Sequence, residues 1–385
     1  MRPANNQESH ESTSEKEKYL RMTMPIASSR DETKKRKGKQ TTQTIIRILL
    51  LAGTAISMFF VPWPILTAWI APLPETVQEQ VEATVNYGFD GVIVFVDQAG
   101  KEPEFLAAGR KNRETQEPAN PHDLFKIASI GKLYDAVMVA KLMHAGVLSP
   151  DSTLAWYLPN VADQIPNARD ITLRMLVQHR SGLPNFTNAP NFWNQPTQSR
   201  DEAVDLFLDF VKEQPAHFAP DERYEYSNTN YLLLAHIVAN VTGEEPFEAI
   251  RTLILEPLGL QNTHGSIHDV NLEDVMSGYY VGVEEDLKSV NYGSMLATAQ
   301  DVGIFLRALN DGSLFAEGER DLYASLYEFE HTGLIPGYQS LARYEKEIDA
   351  VVVHFTNTTD FEGYEWNLAE VSCGRIVKIL KKGAR

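Results

Sequence analysis

The sequence predicts an α+β fold: strands from both ends of one domain share an antiparallel sheet flanked by helices, and the middle of the chain forms an all-helical lobe. Three observations carry this reading. β-rich runs stand at Gly91–Asp97 and Phe105–Ala108, and again at Gln339–Tyr344 and Ala350–Thr356. Long apolar helical patterns lie between them, after Ser129 and over Thr229–Val241. Terminal strands bury their apolar faces by joining each other under a covering helix, which the pattern Glu370–Lys382 supplies.

Residues 1–43 are polar and without apolar periodicity, and they end in the basic run Lys34–Lys39. They read as a disordered cytoplasmic tail. Ile48–Ile70 follows, 23 residues without a charge. A helix of that length spans a bilayer core of about 30 Å. Basic residues on its N-terminal side keep that side in the cytoplasm. Pro62 and Pro64 disturb its far end, and Trp63 and Trp69 suit the outer interface. A cleaved signal peptide is the competing reading. The apolar stretch is long for one, and bulky Trp69 stands where a small residue is needed before Ala71. The expected division is therefore a tail over 1–43, a transmembrane anchor over 44–71, in contact with lipid through 48–70, and an extracytoplasmic domain over 72–385.

Within that domain, Ala71–Thr76 starts a linker, and Gln98–Lys101 turns the first strand into the second. The helix after Ser129 is apolar on more than one face, so it is enclosed, and Gly146 ends it. Asp170–Val177 is a short helix. From Leu183 to about Phe218 a polar stretch with prolines and aromatics reads as an insertion covering one side of the core. Helices close at Gly243 and run on from Ala299.

The body is acidic. Residues 1–43 hold ten Lys/Arg against six Asp/Glu, and the remainder 25 against 46. This excludes nucleic acid as a partner, because phosphate contacts need clustered Lys and Arg. The single cysteine, Cys373, excludes an internal disulfide or a cysteine-rich metal site. His264 and His268 sit in a loop context with Asn262 and Gly265 and are not read as metal ligands. No G-x-S-x-G, G-x-G-x-x-G or P-loop pattern occurs.

Three short motifs carry chemistry. Ser129-Ile-Gly-Lys132 puts a hydroxyl and an amine three residues apart, on one face of a helix near its electropositive end. That arrangement activates an alcohol nucleophile without a histidine triad. Tyr226-Ser-Asn228 adds a phenol that can carry a proton and an amide that can hold the lysine or a substrate carbonyl. His331-Thr332-Gly333 stands at the front of the closing strands, with Gly333 letting a substrate backbone lie close to the strand edge. The backbone N–H groups of Ser129 and Leu334 are candidate oxyanion donors.

In this order and spacing the motifs resemble those of the penicillin-recognising serine hydrolases, in the branch of class C β-lactamases, D-alanyl-D-alanine carboxypeptidases and related esterases. Leu176–Leu183, Tyr226–Tyr231, Glu256–Leu260 and His331–Tyr338 are similar to further family motifs, and the resemblance covers roughly residues 80–380. It implies a β-lactamase/transpeptidase-like fold. Ser129 becomes acylated, and Lys132 and Tyr226 share the proton work. Asn228, His331, Thr332, Gly333 and Leu334 form the substrate-binding set, and neither metal nor cofactor is used. The implied substrates are D-Ala-D-Ala-type peptides, small esters or β-lactams. His331 stands where true β-lactamases usually have lysine, which favours peptidase or esterase. Leu334 stands where the branch usually has glycine, and Gly131 lies inside the S-x-x-K motif. A catalytically silent sensor or binding protein is the alternative.

Overall fold

The structure, a computed structural model, describes residues 28–194 and 199–384. It divides into two units, Met1–Trp63 and Pro64–Arg385. In the first, α1 runs over Ser28–Met58. Residues 1–27 of the expected tail lie outside the described residues, but from Ser28 onward the tail is helical rather than disordered. No proline occurs between Ser28 and Val61, so a helix once nucleated propagates through the basic run. Its stretch Lys34–Met58 is long and apolar enough to cross a membrane. The helix stops at Met58, short of Pro62, so Ile48–Ile70 is not one continuous span.

A separate short helix, Trp63–Ile70, follows. Its residues beyond Trp63 belong to the folded domain. Ala68 is 3% exposed, and Ile65 packs against the same apolar cluster. Buried Arg375 donates to the carbonyls of Ala68, Ala71 and Pro72 and to Gln80 Oε1. The compact unit therefore begins at Pro64 rather than 72. Pro62 cannot continue the first helix, which stops before it. The linker expected after Ala71 is also brief. At Val77–Val85, α2 starts with a Thr76–Glu79 capping box.

The strands from the two ends do share one sheet. Its order is β2 (Glu104–Gly109), β1 (Gly91–Gln98), β9 (Ala350–Thr356), β8 (Tyr338–Glu345), β7 (His331–Ile335), antiparallel throughout. Alternation along β1 divides the core. Val92, Val94 and Val96 face α2 and the C-terminal helix α8, Glu365–Gly383. Ile93 and Phe95 face the larger core under the helical lobe. Both faces are covered, which is why β1 reads as an unbroken apolar run. That larger core encloses α3 (Gly131–His144) and is walled by α4 (Leu173–Val177), α5 (Arg200–Glu213), α6 (Asn228–Thr242) and α7 (Ala299–Asp311).

Two small sheets were not legible. β3 (Phe125–Lys126) and β4 (Thr263–His264) flank β6 (Leu296–Ala297), while β5 (Tyr279–Tyr280) pairs with β10 (Thr358–Thr359). Each strand is two residues long, below the length at which alternation can be read.

Candidate active site

Ser129 lies in a tight turn, Ala128–Ile130, that runs directly into α3. The residue before it, Ala128, has φ +49°, a left-handed conformation that costs a non-glycine residue energy. Surrounding bonds hold it there. Ala128 N–H donates to Ser294 Oγ at 2.9 Å, and Ile127 N–H to the Met295 carbonyl at 3.0 Å. The segment 287–290 is tied down in turn by Lys126, whose Nζ donates to the carbonyls of Leu287 (2.9 Å) and Val290 (2.6 Å). Burial pushes the Lys126 amine down to about 7.

Two side chains converge on Ser129 Oγ, and a third, Asn228, holds one of them. Lys132 Nζ donates to Ser129 Oγ at 3.1 Å and to Asn228 Oδ1 at 2.8 Å. Tyr226 OH donates to Ser129 Oγ at 2.8 Å. Lys132 Nζ also lies 5.2 Å from the centre of the Tyr226 ring. The amide of Asn228 is fixed from behind, its Nδ2 donating to Thr187 Oγ1 and its backbone N–H to Asn185 Oδ1, each at 3.1 Å. Thus the turn at 183–188, read only as part of an insertion, orients the lysine's partner.

His179 stands behind Tyr226, with ring centres 4.5 Å apart. Its Nδ1 accepts from Ser227 N–H and Asn230 Nδ2. Burial, with the Lys132 charge second, holds it down at about 3, so it is a neutral packing group.

His331 opens β7, the edge strand beside the Ser129 turn. Its Nε2 lies 2.9 Å from Tyr327 OH, and its Nδ1 reaches the Thr332 carbonyl. A carbonyl only accepts, so Nδ1 carries the proton and Nε2 accepts from the phenol. Burial, then the Lys132 charge, lowers His331 to about 4. It is neutral and cannot attract a substrate carboxylate as a lysine would.

These groups line one cleft of about 1140 Å³ between the sheet and the helical lobe. Ser129, Lys132, Tyr226, Asn228, His331, Thr332 and Leu334 all face it. Gly333 does not. A Cβ there would meet Ser340 Oγ at 2.4 Å and the Ile127 carbonyl at 2.5 Å. The missing side chain lets β7 approach the Ser129 turn. Asp135, one turn beyond Lys132, also lines the cleft. Only its spacing from Lys132 could have singled it out. Among the described residues no group of three or more His, Cys, Asp or Glu could hold a metal ion.

A model of the Beta-lactamase family matches residues 68–328, well over half of the chain, and the chain belongs to that family. This is a family of serine hydrolases, the class that the fold and the converging groups had indicated. Among its relatives is the putative penicillin-binding protein PbpX of Bacillus subtilis (strain 168), 24% identical over 70% of this chain and 71% of that one. Penicillin-binding protein 4 of Amycolatopsis lactamdurans is 30% identical over 60% of this chain, and the match spans 62% of its own length. The solved structure of D-amino acid amidase from Ochrobactrum anthropi SV3, complexed with L-phenylalanine amide, has a TM-score of 0.70 at 24% identity, covering 80% of this chain and 98% of that one. At that identity the likeness establishes the fold alone.

Proposed function

We propose that the protein hydrolyses amide or ester bonds through an acyl-enzyme on Ser129, with D-configured amino-acid amides and short D-Ala-D-Ala-type peptides as its substrate class. The observation that carries this is Ser129 Oγ, which accepts hydrogen bonds from both Lys132 Nζ and Tyr226 OH at the wall of a large cleft. In the reactive form the lysine–tyrosine pair is one proton short. As Ser129 Oγ bonds to the carbonyl carbon, its proton passes to that pair, which then protonates the departing nitrogen or oxygen. Water repeats the sequence on the acyl-enzyme and releases the acid. The N–H groups of Ser129 and Leu334 are the proposed oxyanion donors.

The substrate class rests on electrostatics and kinship. Neutral His331 offers no cation for the carboxylate that β-lactams and free-acid D-Ala-D-Ala peptides share, which within this class favours the amides. Arg343, a second cation among the described residues that line the cleft, is already paired with Glu370. The solved relative acts on D-amino acid amides by its name. We further propose that the stretch Lys34–Met58 anchors the chain in a membrane. Its basic end would stay in the cytoplasm and the catalytic domain outside.

A fluorophosphonate probe tests the chemistry. It should label the wild-type protein and leave Ser129→Ala unlabelled, and equal labelling of both ends the proposal. Sustained release of product from D-alanine amides separates an enzyme from a silent binding protein. Nitrocefin turnover faster than amide turnover would instead assign a β-lactamase.

A further inference from the structure

Part of the cleft, bounded by residues of α3, α6 and the segment after them, is not used by the mechanism. Gly131, Asp135, Leu232, Ala235, Glu245 and Phe247 line it. A Cβ on residue 131 would come only within ordinary contact of Met295 Sδ, at 3.5 Å. Its walls are mostly apolar, and its polar groups are carboxylates.

Asp135 is the unusual member. Protein surrounds its carboxylate, yet the side chain keeps partial exposure because it opens into the cleft. Among the described residues no hydrogen bond or ion pair reaches it. Lys132 Nζ, which donates to Ser129 and Asn228, makes no ion pair with it. Burial pushes the Asp135 carboxyl up to about 7, with the Lys132 charge pulling the other way. A carboxylate left unpaired in such a place is costly unless a cation visits it.

Resting on the reading of Ser129 as nucleophile, we propose that Asp135 is a specificity-determining residue that takes a primary ammonium group on the acyl part of the substrate. Asp135 follows Ser129 by six residues, the first in the turn and the rest in α3, which places it about 9–10 Å further along the axis. An amine about six bonds of roughly 1.5 Å from the attacked carbonyl, as in a lysyl group, reaches that far once the carboxylate's own length is counted. An α-ammonium, two bonds from the carbonyl, falls short. The apolar walls suit the methylene stem of such a chain.

Binding to the full-length Ser129→Ala protein tests this without turnover. D-Lysinamide and D-norleucinamide share the α-ammonium and differ at the terminal amine. Calorimetry should find the lysyl compound tighter by about tenfold or more. Asp135→Asn should bring the two within about twofold while leaving D-norleucinamide unchanged, and Asp135→Glu should keep part of the preference. Equal affinities in the parent, including absence of binding by both, overturn the inference, as does a preference that Asp135→Asn leaves intact. Should Asp135→Asn fail to fold, the parent's ratio and Asp135→Glu still decide. Turnover by the wild-type protein is a separate readout: no hydrolysis of either amide, with the lysyl preference present, sinks the hydrolase reading and leaves the role of Asp135 standing.

Discussion

A side chain on Gly333 would collide with the carbonyl of Ile127, 2.5 Å from its Cβ. The edge strand β7 and the turn that presents Ser129 are held at that separation. Gly333→Ala should therefore cost about 1–3 kcal/mol in stability through overpacking. It should also lower kcat/KM, because His331 and Leu334 shift with the strand. Adding Ser340→Ala removes one clash but not the backbone one, so the double variant should stay impaired. Urea denaturation and amide hydrolysis measure both effects, and full activity in Gly333→Ala would contradict this account of the approach.

Tyr226→Phe removes the phenol that donates to Ser129 Oγ at 2.8 Å and little else. The ring still packs on His179. Turnover should fall by about 10²–10⁴-fold, the range for a lost proton carrier. The melting temperature should stay close to that of the wild type. A fall of less than a few-fold would leave Lys132 as the sole proton carrier.

Acid should destabilise the domain through its buried histidines. Burial is the main cause that holds His331 at about 4, and His179 and His354 at about 3, below the ordinary 6.5. Asp135 moves the opposite way, up to about 7 from 3.8. Between pH 4 and 6.5 the unfolded chain binds up to three more protons on these histidines, and the folded chain one more on Asp135. The unfolded state is the net acceptor, so stability rises with pH across that window, and above about pH 7 the Lys126 amine, held down at about 7, continues the rise. Each uncompensated proton is worth up to about 1.4 kcal/mol per pH unit. Urea midpoints from about pH 4.5 to pH 7.5 measure this slope. A flat or falling profile would count against neutral, buried histidines.

Arg375 ties the start of the domain to its last helix through the carbonyls of Ala68, Ala71 and Pro72. A chain beginning at Pro64 should be as stable in its hydrolase domain as the full chain. One beginning at Leu73 leaves the buried guanidinium short of three acceptors and uncovers the pocket of Ala68. It should lose about 3–5 kcal/mol, the cost of a buried charge deprived of its partners. Equal thermal melting of the two shortened chains would refute this.

Much of the site was legible because its chemistry needs particular residue types at particular spacings. Ser129 and Lys132 are three apart on adjoining turns, and that alone brings their side chains together. Tyr226 and Asn228 were visible as a short motif before an apolar helix. Asn185, Thr187 and Tyr327 were not, since a polar residue that braces another looks like any loop residue until the chain is folded. The Thr76–Glu79 box is present in the sequence as a Thr-x-x-Glu pattern, directly after the prolines of the preceding segment.

By itself the sequence determined the fold class, the sheet built from both ends of the chain, and which alcohol, amine and phenol would meet. Apolar periodicity and local spacing are properties of neighbouring residues, so they survive in one dimension. Only the tertiary structure decided that Pro64–Ile70 packs with the domain, that Gly333 lets β7 approach the Ser129 turn, that His331 is neutral, and that Asp135 opens onto the cleft. Each of those depends on burial and on groups far apart in the chain, and neither exists until the sheet and the helical lobe have closed on each other.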